Sequence, residues 1–252
     1  MAHAPSPLQI PNDPGLRRNP VHKPGVEPCK AWSSIDFAHE PSVAYVAIAR
    51  SGSTTLDALL SKLYQPPDDA EMRRRAPNRP TIVAHDHECG LSDLLTRFHP
   101  RRVLVPLRPI HERIESGIRR AIRLNCSAHT GWPDACKPPK ERAADRYVAF
   151  LQQNKPRRVV PPSFARPAID YVLERVDTRN VSLWPVCTHQ LRADVSRAFR
   201  AWGLNDSTLW DGVRDFNVHA SDPPSKLSPE SLSYLKSRYA NDYAFVARHG
   251  CA

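Results

Sequence analysis

The hydrophobic pattern of the chain is dominated by two apolar runs, and an arginine follows each of them. Residues 43–49 read Val-Ala-Tyr-Val-Ala-Ile-Ala, and residues 101–107 read Arg-Arg-Val-Leu-Val-Pro-Leu. Apolar, β-branched runs of this length are typical of strands that are buried on both faces of a sheet. Residues 181–186 predict a later core strand, and the short run at 81–84 predicts another parallel strand.

Helical periodicity follows both of the longer runs. Leucines are spaced i, i+3, i+4 and i+7 after the first run, and isoleucines recur every fourth residue after the second. These residues are Leu56, Leu59, Leu60, Leu63, Ile110, Ile114 and Ile118. Residues 141–153 and 191–204 predict two further helices. Because strands and helices alternate, we expect a three-layer α/β fold with a mostly parallel central sheet.

A small, hydroxylic turn joins the first strand to its helix. It consists of Arg50, Ser51, Gly52, Ser53, Thr54 and Thr55. A strand, a tight turn and a helix N-terminus direct backbone N–H groups and the positive end of the helix dipole to one point, where an anion fits. The glycine permits close backbone approach, the hydroxyls can cap the helix or donate to phosphate, and the arginine supplies charge. An ordinary capped helix is the alternative.

A second candidate anion contact follows the second strand. Arg108 stands at the strand end, Pro109 occupies a position typical of helix N1, and Ser116 lies eight residues after Arg108. The arginine at the strand tip and the serine on the helix flank can together hold one phosphate. A surface cation is the alternative interpretation of Arg108. The nucleoside-triphosphate loop G-x-x-x-x-G-K-[ST] does not occur, which disfavours an ordinary ATPase or GTPase.

These two motifs, in this order, resemble those of the sulfotransferases that use 3′-phosphoadenosine 5′-phosphosulfate (PAPS). The stretch from Arg50 to Leu56 is similar to the family's 5′-phosphosulfate loop in its arginine-bearing form. Arg108 and Ser116 match the family's 3′-phosphate motif. The resemblance implies a P-loop-like nucleotide site, PAPS as co-substrate, the desulfated nucleotide PAP as product, and no required metal.

The C-terminal part adds a third match, to the closing region of carbohydrate sulfotransferases. The matching segments are 216–219, 227–230 and 239–243, and the resemblance implies that Asn217 contacts the nucleotide from a loop. The chain departs from the family where relatives often have Y-E-x-L after a late strand. Here the sequence is Thr188-His189-Gln190-Leu191, so an acidic contact expected at this point is in doubt.

An alcohol acceptor needs a base, and the best candidates follow the predicted strand at 81–84. His85, His87 and Glu88 would emerge at its carboxyl end, where ligands gather in open α/β sheets. Histidine is the commonest general base, and the His-x-His pattern resembles that of uronyl 2-O-sulfotransferases. Zinc binding and plain surface polarity stay open as alternatives. Arg50 would stabilise charge in the reaction, because arginine does not release its proton in a protein.

Composition restricts the partners. The chain has 252 residues, a net charge of +10 and a pI of about 9.6, which predicts anionic partners. A hydroxyl-bearing acceptor is expected, and an acidic polysaccharide would suit the charge. Nucleic acid is not expected, because no zinc-finger, RNP-like or basic coiled-coil motif occurs. The alternatives are a basic module that binds nucleic acid or anionic glycan, and a P-loop kinase-like phosphotransferase.

The N-terminal segment differs from the rest of the chain. Residues 1–41 are rich in proline and polar residues and predict an extended arm, and residues 42–252 predict one sulfotransferase-like domain. No signal-type apolar region and no apolar run long enough to span a membrane occur. We therefore expect a soluble chain, cytoplasmic unless a Golgi anchor is missing. Cys126 and Cys136 can close a loop disulfide in an oxidising compartment, and reduced thiols are the alternative.

Overall fold

The computed structural model describes eight stretches of the chain, and all structural statements below concern these residues. The described stretches are 43–64, 90–98, 100–124, 133–153, 165–172, 178, 180–213 and 226–252. They form two compact units, which are described separately below. Unit 1 comprises Met1–Leu107 with Asp170–Phe216, and unit 2 comprises Arg108–Ile169 with Asn217–Ala252. The predicted N-terminal arm lies outside the described residues, and the single domain at 42–252 stays a prediction.

Unit 1 contains a parallel three-stranded sheet with the order β1-β2-β3. Its elements are β1 (Val43–Tyr45), α1 (Ser53–Tyr64), α2 (Leu91–Phe98), β2 (Arg102–Leu107), β3 (Ser182–Cys187) and α5 (Leu191–Ala201). A 3-10 turn at Thr188–Gln190 connects β3 to α5. The sheet and its helices are compatible with the predicted α/β class, and the three-layer arrangement stays a prediction.

The core of unit 1 covers one face of this sheet. Tyr45 and Leu104 are paired in the register of β1 and β2, so they lie on that face, where the leucines of α1 and the apolar side of α5 pack against them. Leu56, Leu59 and Leu60 are at most 1 % exposed. Burial of one such side chain contributes about 1.5–3 kcal/mol. The helical leucine pattern predicted from the sequence is therefore confirmed for these three positions.

Unit 2 is helical in its described residues. Its elements are α3 (Ile110–Arg123), 3-10 turns at Pro133–Cys136 and Lys140–Arg142, α4 (Ala143–Gln153), α6 (Pro229–Arg238) and α7 (Ala240–Arg248); a further 3-10 turn spans Ile169–Tyr171. The isoleucine face of α3 is fully buried at Ile110, Ile114 and Ile118, as its four-residue spacing predicts. Helix α4 packs against α3 and α6, and α6 packs against α7.

Several predicted boundaries differ from the structure; the helix predicted at 191–204, for example, ends at Ala201. The strand predicted at 43–49 pairs with β2 only as far as Val46, whose N–H donates to the Leu104 carbonyl at 3.0 Å, and the buried residues after it turn away. Pro106 is accommodated in β2 because it lies beyond the point where β1 leaves. The helix predicted at 141–153 begins as a 3-10 turn and becomes α-helical at Ala143.

Candidate functional site

The turn between β1 and α1 is built by short-range backbone hydrogen bonds in unit 1. The N–H of Ile48 donates to the Val46 carbonyl at 2.8 Å, and the N–H of Ser51 donates to the Ile48 carbonyl at 3.3 Å. These bonds stop the strand and redirect the chain toward the start of α1. The turn therefore lies at the carboxyl end of the parallel sheet, which is the usual ligand-binding edge of α/β folds.

Two residues of this turn have left-handed backbone conformations. Arg50 has a φ of 62° and Gly52 has a φ of 83°. Glycine adopts this region without steric cost, whereas a residue with a Cβ loses about 1–2 kcal/mol. Arg50 has the only positive φ among the described non-glycine residues. Backbone strain of this kind concentrates at functional sites, so the turn is a candidate for one.

The turn presents hydrogen-bond donors at the N-terminus of α1. The Gly52 carbonyl accepts the N–H groups of Thr55 at 3.0 Å and Leu56 at 3.1 Å. No backbone carbonyl among the described residues accepts the N–H groups of Gly52, Ser53 or Thr54. These donors, together with the helix dipole, fit an oxyanion such as a phosphate or a sulfate.

Ser51 provides an independent sign of a polar ligand. The residue is fully buried, and its Oγ has no hydrogen-bond partner in the described part of the chain. A buried hydroxyl without a partner loses about 1–3 kcal/mol, so such groups usually have a bound water, ion or ligand beside them. The turn from Arg50 to Thr55 thus keeps the features that the sequence predicted for anion binding.

The start of α5 contacts this turn. A Cβ placed on Gly52 would lie 3.0 Å from the Leu191 Cδ2, so the start of α5 packs directly on the glycine. The Thr188 hydroxyl donates to the Leu107 carbonyl at 3.1 Å, which fixes the 3-10 turn against the end of β2. Unit 1 therefore brings the candidate anion-binding turn and the segment 188–191 to the same edge of the sheet.

Arg108, the second predicted anion contact, begins unit 2. Its Nε donates to the Glu112 Oε2 at 2.9 Å, and its side chain is 20 % exposed. The ion pair is a one-turn interaction at the start of α3, and a bound phosphate would compete with the carboxylate for the same guanidinium. Pro109 was predicted at N1, but its ψ of 139° is not helical, so it is the N-cap and α3 begins at Ile110.

Ser116 is the partner predicted for Arg108. It lies on α3 and is buried, with a relative exposure of 8 %. Ser116 lies six positions after Ile110, which corresponds to a rise of about 9 Å along the helix. The structure thus places both residues on or beside one helix of unit 2, whereas the turn from Arg50 to Thr55 belongs to unit 1.

Two buried ionisable residues of unit 2 were not predicted from the sequence. Arg113 on α3 is fully buried, and Asp242 on α7 is 2 % exposed. Burial raises the pKa of Asp242, and the charge of Arg113 lowers it. The Asp242 Oδ1 also accepts the Ile169 N–H at 3.0 Å. The available signal was an arginine one turn after Ile110, on the apolar face of α3.

A tyrosine and a histidine join α3 to α7. The Tyr243 hydroxyl and the His111 Nδ1 are 3.0 Å apart, and the two rings are nearly parallel, with centroids separated by 5.6 Å. Burial lowers the pKa of His111, while Glu112 and Glu115 act in the opposite direction. The neutral imidazole can accept a hydrogen bond from the phenol O–H, whereas the protonated ring cannot, so this contact is sensitive to protonation of His111.

The C-terminal motif has a capping role in unit 2. Ser228 is the N-cap of α6, and its Oγ accepts the Ser231 N–H at 3.2 Å. Two carboxylates hold the segment that enters this helix: Glu115 accepts the Leu227 N–H at 3.0 Å, and Asp145 accepts the Ser228 N–H at 2.8 Å. The segment 239–243 connects α6 to the start of α7.

Several predicted site residues lie outside the described residues. They are His85, His87, Glu88 and Asn217. Within the described stretches, no group of three or more His, Cys, Asp or Glu side chains is arranged to hold a metal ion. None of the helices in the described part combines the length and apolar character needed to cross a membrane.

The chain has no match in three comparisons with known proteins. No protein-family model, no curated protein and no solved structure is similar to it.

Proposed function

We propose that this protein is a PAPS-dependent sulfotransferase that transfers a sulfuryl group to a hydroxyl of a carbohydrate acceptor. The observation that supports this proposal is the turn between β1 and α1. It combines two left-handed residues, backbone N–H groups without a backbone acceptor among the described residues, and the buried Ser51 hydroxyl. In this proposal the sheet and helices belong to a three-layer α/β fold with a P-loop-like nucleotide site.

The turn would hold the 5′-phosphosulfate. Backbone N–H groups of Gly52, Ser53 and Thr54 would donate to its oxygens, with the Ser51 and Thr55 hydroxyls as further donors. Arg50 would stabilise the charge that develops on the leaving phosphate. Sulfuryl transfer resembles phosphoryl transfer, so positioning and electrostatic stabilisation would supply most of the rate enhancement.

The proposal assigns the 3′-phosphate of the nucleotide to Arg108 and Ser116. The partial exposure of Arg108 and the single-turn geometry of its ion pair with Glu112 are compatible with exchange of the carboxylate for a phosphate. Ser116 is buried, so a phosphate would have to contact its side chain from the edge of α3. Asn217 is proposed as a further nucleotide contact.

The acceptor hydroxyl requires a proton acceptor. His85 and His87 are the proposed bases, with Glu88 as the alternative, because they follow the predicted strand at 81–84. Alanine at the residue that acts as the base should abolish turnover and leave PAP binding intact. Equal and mild losses from His85→Ala and His87→Ala would remove both histidines from catalysis.

The bonding state of the cysteines indicates the redox state of the compartment in which the protein folds. Each described cysteine, at positions 136, 187 and 251, is disulfide-bonded. Structural disulfides persist in oxidising compartments and are rare in the cytosol. We therefore propose an oxidising compartment rather than the cytoplasm. The predicted partner of Cys136 is Cys126, which lies outside the described residues, so this pairing stays a prediction.

The charge of the chain supports a second candidate function, a basic module that binds nucleic acid or an anionic glycan. The net charge of +10 would favour either polymer. The two functions differ in which anionic ligands the protein can tell apart. A sulfotransferase discriminates between nucleotides by the 3′-phosphate, whereas a module that reads only charge does not.

The test compares PAP with adenosine 5′-monophosphate, which lacks the 3′-phosphate. Arg108→Ala should weaken PAP binding at least about tenfold and leave the monophosphate unchanged, because a charge-assisted hydrogen bond contributes about 1.5–3 kcal/mol. Arg50→Ala should weaken both ligands. Arg120→Ala, an exposed change on the same helix as Ser116, is the control. Equal losses for both nucleotides in Arg108→Ala would contradict the assignment.

A further inference from the structure

The 3-10 turn at Thr188–Gln190 has no role in the proposed function, yet it lies at the edge of the sheet where the anion-binding turn lies. It follows β3 directly, and the Leu107–Cys187 pairing shows that β2 and β3 end at the same level. Leu191 begins α5 and packs on Gly52. The segment is therefore adjacent to the candidate anion site within unit 1.

Two helix N-termini meet at this contact. Helix α1 begins at Ser53, one residue after Gly52, and α5 begins at Leu191, whose side chain touches that glycine. Both helices are longer than two turns, so each directs the positive end of its dipole toward this edge of the sheet. Their convergence makes the edge more favourable for an anion than one helix alone.

The N-terminus of α5 has no side-chain cap in the described part of the chain. Gln190 is the N-cap residue, and in the described part of the chain its side chain makes no capping hydrogen bond. Asp194 in the first turn of α5 accepts the Cys187 N–H at 2.7 Å and pairs with Arg197. The Asp194 carboxylate therefore accepts a backbone N–H of β3 and forms an ion pair with Arg197 of the same helix, which neutralises its negative charge.

The buried Ser51 hydroxyl is the independent observation that a ligand belongs here. It lies one residue before Gly52, is fully buried, and its Oγ has no hydrogen-bond partner among the described residues. His189 is exposed in the turn that precedes α5, two residues before the leucine that packs on Gly52. In the described part of unit 1 it is the only histidine.

We infer that His189 is a further binding residue of this site, and that its imidazole contacts the phosphate or sulfate ester group held by the turn from Arg50 to Thr55. This inference rests on the proposed anion-binding role of that turn. An imidazole N–H donates to an anionic oxygen, and a ring nitrogen can also accept a proton from a group beside it. Relatives often have the acidic sequence Y-E-x-L at this point, where this chain has Thr188–Leu191. In this inference, His189 contacts the bound anion at the place where an acidic contact was expected.

The test uses the full-length protein labelled with carbon-13 and nitrogen-15, titrated with inorganic pyrophosphate and followed by NMR. We expect the imidazole Cε1–Hε1 signal of His189 and the amide signal of Gly52 to shift with the same dissociation constant. Both shifts should disappear in Arg50→Ala. The imidazole signals of His111 and His249, which belong to unit 2, are internal controls and should move much less.

Affinity measurements complete the test. His189→Gln should weaken pyrophosphate binding about tenfold, which is the loss expected for one hydrogen bond to a charged group. Gln190→Ala, the matched control in the same turn, should stay within about twofold. A Gly52 shift without a His189 shift would overturn the inference and leave the anion-binding turn in place. No shift of either signal would overturn the inference and the proposed function together.

Discussion

Gly52 combines a backbone requirement with a packing requirement. Its φ of 83° disfavours any residue with a Cβ, and a Cβ there would meet Leu191 at 3.0 Å. Gly52→Ala should therefore lower the free energy of unfolding by about 1–2 kcal/mol and displace the backbone donors of the turn. Denaturant unfolding measures the first effect, and titration with PAP measures the second.

Gly203 is the matched control for this substitution. It also has a positive φ, 70°, but a Cβ added there would have no neighbour within 4 Å among the described residues. Gly203→Ala should lower stability by a similar amount and leave PAP affinity unchanged. If both alanine variants bind PAP as the wild type does, the turn does not form the nucleotide site.

His111 makes stability depend on pH. Burial lowers its pKa below the ordinary value of 6.5, so the unfolded chain binds the proton more readily than the folded chain. Its contribution is complete above pH 6.5 and is lost as the pH falls from that value through the lower pKa of the folded state. The wild type should therefore lose stability as the pH falls below 6.5, and His111→Gln should show a shallower loss. The groups that face the imidazole are Glu112, Glu115, Lys236, Arg108 and Tyr243.

Chemical denaturation at a series of pH values measures this effect. His249 has a pKa that burial and Arg248 also lower, so the variant should retain part of the wild-type slope. A His111→Gln variant with a pH dependence identical to that of the wild type would show that the His111–Tyr243 contact does not depend on protonation.

At the scale of elements, the first turn of α3 contains a competition for Arg108. Glu112 holds the guanidinium in a partly exposed ion pair. Glu112→Gln should release Arg108 and increase PAP affinity about threefold, which is the range of an exposed ion pair. Glu141→Gln removes the same charge from an exposed position in unit 2 and is the control. Equal gains in both variants would indicate a general charge effect rather than competition at Arg108.

The two later strands of the sheet and the helices that follow the apolar runs were predictable because each is defined by local periodicity, whereas α2, α6 and α7 were not predicted. The structure places β2 at Arg102–Leu107 and β3 at Ser182–Cys187, within one residue of the predictions. The early end of β1 was not predictable, because apolar residues continue to Ala49 and only the turn hydrogen bonds reveal where pairing stops. An apolar run in the sequence predicts that its residues are buried, but it does not show how many of them pair with a neighbouring strand.

Parts of the candidate site that depend on contacts between distant residues could not be predicted. The Gly52–Leu191 contact joins positions far apart in sequence, and Arg113 on α3 acts electrostatically on Asp242 of α7. A charged residue on an apolar helix face indicates an unusual position but does not identify its partner. The turn from Arg50 to Thr55 was predictable because a strand, a hydroxylic turn and a helix start are adjacent in sequence.

At the scale of the whole molecule, the positive charge is unevenly divided. Among the described residues, Lys and Arg outnumber Asp and Glu by a wide margin in unit 2 and only slightly in unit 1. Unit 2 contains Arg108, the proposed contact of the 3′-phosphate. An excess of cations on the unit that receives an anionic group would accelerate association and make it sensitive to salt.

Calorimetric titration of the purified protein with PAP, with ATP and ADP as controls, tests directly whether the protein has the nucleotide site of a PAPS-dependent sulfotransferase. We expect saturable PAP binding that requires the 3′-phosphate and that is lost in Arg50→Ala and Arg108→Ala. The adenine nucleotides that lack this phosphate should bind much more weakly. A folded protein that does not bind PAP, or that binds ATP and ADP equally well, would contradict the sulfotransferase account and favour a module that recognises charge alone.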